Sequence, residues 1–162
     1  MRVRVRGGFF IPDLQPPKEV HVELTNECNL NCSICYRRSW DAERGYMRTD
    51  LFEKLLRELK KLSARSIWFD GFGEPTLHPD FERFVKIAAD DFEVNLVTNG
   101  TLICDKVERV AGNLSNVFVS IDSVNSGTYY LVRGSDLRRL EKGLRVIVNE
   151  TRVWLSSVLT KS

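Results

Sequence analysis

Residues 49–69, TDLFEKLLRELKKLSARSIWF, pass from one period to another and decide the fold class. Over residues 49–62 the apolar positions Leu51, Phe52, Leu55, Leu56, Leu59 and Leu62 recur at helical spacing, which predicts an amphipathic helix with one buried face. Asp50 and Glu53 form a plausible capping pair at its start. Ser66-Ile67-Trp68-Phe69 is short and apolar, which predicts a buried strand. A helix feeding a strand is half of a βαβ unit, and the alternation continues in both directions.

Upstream, residues 20–24 read as a strand. Downstream, residues 79–89 read as a helix with Pro79 in its tolerated first turn. Residues 94–97 and 117–121 read as strands, with a helix over 103–111 between them. Ser135 is positioned to cap a helix whose Leu137, Leu140, Leu144 and Ile147 share a face, and residues 152–159 read as a fifth strand. Five alternations imply an α/β fold with a parallel sheet and right-handed crossovers. A (β/α) barrel or partial barrel and a doubly wound open sheet both satisfy the pattern. Either one places its site at the C-terminal ends of the strands, so chemical motifs are expected just after them.

The chain has 162 residues, about one domain, with 43% hydrophobic and 28% charged residues, which excludes whole-chain disorder. A net charge of +2 gives no electrostatic footprint for nucleic acid. No apolar run approaches the roughly 18–20 residues that span a bilayer, and Met1–Arg6 lacks the apolar stretch of a signal peptide. A cytoplasmic protein is the expectation. Residues 1–18 read as an N-terminal extension, in which Arg2 to Arg6 alternates like an edge strand, Gly7-Gly8 breaks it, and Pro12, Pro16 and Pro17 exclude further regular structure. Residues 19–162 form the core domain. They end at Lys161-Ser162 directly after an apolar strand with no helix to cover it. A full barrel takes about 200 residues or more, so the expectation is a barrel whose C-terminal part is missing.

Of four cysteines, Cys28, Cys32 and Cys35 crowd one loop just after the first core strand, and Cys104 stands apart. A disulfide framework wants an even, dispersed set in a secreted chain. Clustered thiolates ligate zinc or the irons of an Fe–S cluster. Zinc wants four ligands, and the nearest further candidates are His21, His78 and Cys104. Three thiolates on a [4Fe–4S] cluster leave one iron for a substrate or cofactor. Spacing alone leaves zinc and inert buried thiols open.

Cys28-x3-Cys32-x2-Cys35, preceded by Glu23-Leu24-Thr25-Asn26-Glu27 and followed by Tyr36-Arg37-Arg38, resembles the signature of the radical S-adenosylmethionine (SAM) enzymes. The resemblance covers nearly all of residues 19–162 and implies a partial (β/α) TIM-like barrel with about five βα units present. It implies that Cys28, Cys32 and Cys35 hold a [4Fe–4S] cluster whose open iron binds SAM. One-electron cleavage then yields methionine and a 5′-deoxyadenosyl radical that abstracts hydrogen from the substrate. Ile34 matches the position that packs near the adenine. Gly73-Glu74-Pro75 resembles the core of the motif that receives the SAM amino group through backbone carbonyls, with Phe72 standing where glycine is common. His78, in the stretch that follows, reads as a loop residue and not a ligand. Thr98 and Asn99 end the third strand at the implied SAM site. Ser120-Ile121-Asp122-Ser123 and Tyr129-x3-Arg133-Gly134 also resemble family patterns, making Ser120, Asp122 and Arg133 candidates for the polar parts of SAM. Val158 and Thr160 fit an apolar adenine contact loosely, and Cys104 reads as a free buried thiol.

The leading reading is therefore a radical SAM enzyme of the branch that modifies peptides or builds pterin-type cofactors. It would take electrons from a donor such as ferredoxin or flavodoxin and have no nucleic-acid or membrane partner. The other reading is a non-catalytic cluster- or zinc-binding module completed by a partner chain or domain. A plain ferredoxin is disfavoured, because its cluster normally has four cysteine ligands.

Overall fold

The architecture, taken from a computed structural model, is described for residues 3–6, 9–12 and 16–158. An antiparallel ribbon comes first, with β1 (Val3–Arg6) paired to β2 (Phe9–Pro12). The alternation of Arg2 to Arg6 pointed to the first strand but not to the second. Pro12 is accommodated because it sits at the end of the ribbon, opposite Val3. Pro16 and Pro17 do lie in irregular chain. Arg2, Gly7 and Gly8 fall outside the described residues.

The core is a five-stranded parallel sheet of β3 (Glu19–Val22), β4 (Ser66–Phe69), β5 (Glu93–Thr98), β6 (Asn116–Ser120) and β7 (Arg152–Ser156). Its spatial order is β3-β4-β5-β6-β7, the same as its chain order. A doubly wound sheet reverses direction at a switch point, and this sheet does not. Successive right-handed crossovers in one direction lay their helices on one face. The arrangement is a partial (β/α) barrel.

Four helices, α1 (Thr49–Lys61), α2 (Phe81–Ala89), α3 (Ser126–Arg133) and α4 (Leu137–Ile147), connect the strands. Phe52 of α1 stacks on Phe84 of α2 with centroids 4.1 Å apart, and both are fully buried beside Phe69 of β4. Leu51 and Leu62 are half exposed, so the apolar stripe of α1 is narrower than its leucines imply. Asp50 does not cap α1. Arg48 holds the cap position, and the Asp50 carboxylate is occupied by the Arg48 guanidinium at 2.6 and 2.9 Å. Asp136, not Ser135, caps α4, because its carboxylate reaches the Arg138 N–H at 2.9 Å. Pro79 precedes α2 instead of opening it, and Pro75 opens a short 3₁₀ turn upstream (Pro75–Leu77). The helix expected over residues 103–111 is a π turn (Ile103–Val107) running into a 3₁₀ turn (Glu108–Asn113). α3, not foreseen from the pattern, is capped by Asn125 and closed by Gly134 in the left-handed conformation. β7 ends at Ser156, and Leu159 and Thr160 lie outside the described residues.

The face of the sheet away from the helices carries aromatics and amides. His21 stacks on Trp68, Trp68 lies 5.0 Å from Phe118, and Phe118 stacks on Trp154. Asn116 donates to Asn95 Oδ1 at 2.7 Å and accepts from Trp154 Nε1 at 3.0 Å. Among the described residues no helix is long and apolar enough to cross a membrane.

Candidate active site

The cysteine loop leaves β3 through residues 23–27, each anchored for a local reason. Thr25 Oγ1 donates to the Gly45 carbonyl and accepts the Glu27 N–H at 3.0 Å, a side-chain turn that redirects the chain. Asn26 clamps residues 43–45 with both ends of its amide. The segment then lies against the loop after β4, where the Glu74 N–H donates to the Glu27 carbonyl at 2.7 Å. A Cβ on Gly73 would stand 2.0 Å from the Thr25 carbonyl oxygen, so only glycine allows this approach. The far side of the loop rests on α3, with the Ser33 N–H donating to the Val132 carbonyl at 2.8 Å.

Cys28, Cys32 and Cys35 line one cavity of about 230 Å³, together with Ile34, Gly71, Phe72, Gly73, Glu74, Val97, Thr98, Asn99, Ser120 and Arg133. The ends of β3 to β6 and the loops that follow them supply all of these but Arg133, which comes from the last turn of α3, as expected of a βα barrel. Asn99 faces Cys28 Sγ at 3.7 Å through the amide nitrogen that also donates to Asn29. Thr101 closes this network, bonding Asn99 Oδ1 through its N–H at 2.9 Å and through its hydroxyl at 2.7 Å. Asn29 and Thr101 were not foreseen as site residues. Their place beside Cys28 and after Asn99-Gly100 was the signal available.

Glu74 is buried at the lining of the cavity. Its Oε1 receives the Thr76 and Thr98 hydroxyls at 2.6 and 2.7 Å and the Thr76 N–H at 3.3 Å, and its Oε2 receives the Asn99 N–H at 2.7 Å. Burial pushes its pKa up, and these donors oppose the shift. Glu74 therefore ties the loop after β4 to the end of β5. Burial also pushes the Cys32 thiol up, against the pull of the Arg133 guanidinium, whose Nη1 lies 3.9 Å from Cys32 Sγ. Arg133 Nε donates to Asp122 Oδ2 at 2.6 Å, and Asp122 Oδ1 accepts the Val158 N–H at 2.9 Å. Burial works against the Arg133 charge, but Asp122 leaves its pKa raised.

Residues 22–160 match the sequence model of the Radical SAM superfamily. The chain belongs to the radical SAM superfamily. A tungsten-containing aldehyde ferredoxin oxidoreductase cofactor-modifying protein of Pyrococcus furiosus is 37% identical over 109 residues, covering 65% of this chain and 31% of that protein. A probable GTP 3′,8-cyclase of Pyrococcus abyssi is 29% identical over 143 residues, covering 86% of this chain and 45% of its own. The chain thus spans less than half the length of these relatives. Among solved structures, Streptococcus suis SuiB bound to its precursor peptide SuiA superposes with a TM-score of 0.80 at 20% identity, covering 92% of this chain and 34% of SuiB. That likeness establishes the fold.

The donor set suits the cluster and SAM that the radical SAM superfamily implies. Three thiols from one loop share a single cavity with the Arg133 guanidinium and with Thr98, Asn99 and Ser120 at the ends of β5 and β6. Among the described residues no group of three His, Cys, Asp or Glu side chains stands close enough together to hold a single metal ion. Ile34, Gly73, Glu74, Thr98, Asn99, Ser120 and Arg133, all expected at the cofactors, line this cavity. Pro75 is buried and does not line it, and Asp122 turns its two oxygens to Arg133 and the Val158 N–H. Val158 is exposed outside the cavity, and Thr160 lies outside the described residues. Gly71 and Val97 were missed. His21 pairs with Asp70 at 2.5 Å. His78 is buried, with Nδ1 accepting the Asp80 N–H and Nε2 at 2.8 Å from the Met47 carbonyl, so both ring nitrogens are engaged. Cys104 lines a different cavity beside Gly100 and Lys142.

Proposed function

We propose that the chain is the cofactor-binding core of a radical SAM enzyme. Cys28, Cys32 and Cys35 hold a [4Fe–4S] cluster, and SAM occupies the rest of the same cavity. The convergence of the three cysteines with Gly71–Glu74, Thr98, Asn99, Ser120 and Arg133 on one space carries the reading. When bound, the cluster and SAM supply one-electron cleavage of SAM to methionine and a hydrogen-abstracting 5′-deoxyadenosyl radical.

The protein's own residues bind, orient and exclude water. Backbone carbonyls of the loop after β4, those of Gly71 and Phe72 leading into the Gly73-Glu74-Pro75 turn, take the ammonium group, and Glu74 and Pro75 shape that turn. Ser120 and Arg133 take the carboxylate end, with Asp122 setting the Arg133 fork. Thr98 and Asn99 form the polar floor, and Ile34 flanks the adenine. Asn99 and Arg133, facing Cys28 and Cys32, hold the thiolates in place and tune their charge. The substrate is a cofactor precursor or a peptide. Relatives named for GTP cyclisation and for cofactor modification favour the precursor, whereas SuiB was crystallised with a peptide. Electrons come from a carrier of the ferredoxin or flavodoxin kind.

Anaerobic reconstitution with iron and sulfide, followed by EPR of the reduced protein with and without SAM, tests the reading. The expected result is a [4Fe–4S]⁺ signal that changes on adding SAM, is abolished in Cys32→Ala and persists in Cys104→Ala. A signal indifferent to SAM leaves only the cluster- or zinc-binding module completed by another chain. Tight zinc in place of iron overturns the cluster.

A further inference from the structure

We propose that Glu23 is the positioning residue for the subsite that takes the SAM ammonium group, acting through the backbone of residues 71–73 without touching the ligand. The inference rests on the SAM site proposed above. A single oxygen of Glu23, Oε1, receives the Phe72 N–H at 2.6 Å and the Gly73 N–H at 3.4 Å. Every described peptide here is trans, and in a trans peptide the N–H and the C=O of one plane point in opposite directions. Drawing the Phe72 N–H toward Glu23 therefore turns the Gly71 carbonyl the other way. Drawing the Gly73 N–H does the same to the Phe72 carbonyl.

The other way is the cavity side. Glu23 does not line the cysteine cavity. It lines a separate surface depression with Asn26, Arg44 and Met47, while Gly71, Phe72 and Gly73 line the cavity itself. One carboxylate behind the loop thus presents two carbonyl oxygens in front of it. An ammonium group has three donors and no acceptor, so a pair of carbonyls is its complement.

The loop has little room to turn back. Gly71 has φ +135°, and a Cβ there would lie 2.5 Å from Glu23 Oε1, so glycine and carboxylate occupy complementary space. The close seat of Gly73 against the Thr25 carbonyl fixes the next residue. Glu23 itself is exposed, so it is not a core packing residue.

The test measures SAM affinity of the reconstituted full chain by EPR titration. It uses Glu23→Ala, Glu23→Gln and a SAM analogue lacking the α-amino group. Glu23→Ala is expected to weaken SAM binding by about tenfold or more, with iron content unchanged. Glu23→Gln keeps an acceptor oxygen for the same two N–H groups and is expected to stay within about threefold of wild type. The analogue without the ammonium group is expected to bind wild type and Glu23→Ala alike.

Equal SAM affinity in wild type and Glu23→Ala overturns the proposal. So does Glu23→Gln as weak as Glu23→Ala, which would mean that the charge itself meets the ligand. Loss of the cluster in Glu23→Ala, or equal weakening of the analogue, assigns Glu23 a structural role and also overturns it. A wild-type signal that ignores SAM instead removes the site on which the inference rests, and is told apart because it needs no variant.

Discussion

Toward its helices the parallel sheet presents Val22, Phe69, Leu96 and Val119, all buried under aromatic and aliphatic side chains of α1, α2 and α4. Toward the opposite side it presents His21, Trp68, Asn95, Asn116, Phe118 and Trp154, of which Trp154 is half exposed. Both sets alternate along the same short strands, because successive side chains of a strand point to opposite faces. Strands of a parallel sheet covered on both sides read as continuous apolar runs; Ile67-Trp68-Phe69 and Val117-Phe118-Val119 do so, whereas β3 and β5 are interrupted by His21 and Asn95. The helix face is closed by non-directional apolar contact. The other face and the strand ends are held by directional bonds, Asn95 to Asn116 to Trp154 and Glu74 to Thr98 and Asn99. Stability thus concentrates on one side of the sheet and ligand geometry at its C-terminal rim.

That contrast can be broken by experiment. Phe84→Ala removes the ring stacked on Phe52 and is expected to cost about 3–5 kcal/mol in denaturant unfolding. A loss below about 1 kcal/mol would mean that the helix face is not the main source of stability. Glu74→Gln is nearly isosteric yet is expected to cost about 1–3 kcal/mol. Each carboxylate oxygen receives a backbone N–H, so either orientation of the amide sets its NH2 against a donor. An unchanged midpoint would show that the buried carboxylate carries a proton and already donates to a neighbour. Trp154→Phe removes the N–H given to Asn116 and one ring of an exposed indole stacked on Phe118, and is expected to cost about 0.5–1 kcal/mol. A larger loss would make the open face a structural partner of the core.

Much of the site was legible because its residues are contiguous in the chain. Cys28, Cys32 and Cys35 occupy one loop, Gly73-Glu74-Pro75 another, and Thr98-Asn99 and Ser120 close strands whose period is plain. α3 was not legible, because its apolar content is modest and only Tyr129 is buried among its residues. Yet its last turn touches the cysteine loop through Val132 and Arg133. Arg133 was foreseen as a carboxylate binder, but its own partner, Asp122, became visible only in the fold. Asp136 displaced Ser135 as the α4 cap because capping depends on which side chain reaches the first free N–H groups, and neighbouring candidates differ there by a single residue.

What the sequence by itself determined is the alternation of periods, the spacing of three thiols and the glycines that mark close turns. Each is a local property, set by residues within a few positions of one another. What only the tertiary structure decided is the sequential strand order that excludes a doubly wound sheet, and the meeting of Cys28 with Asn99, Cys32 with Arg133, and Glu23 with the loop after β4. Those partners lie 71, 101 and 49 positions apart. Backbone periodicity carries no information over such separations, and packing the helices onto one face of the sheet brings them together.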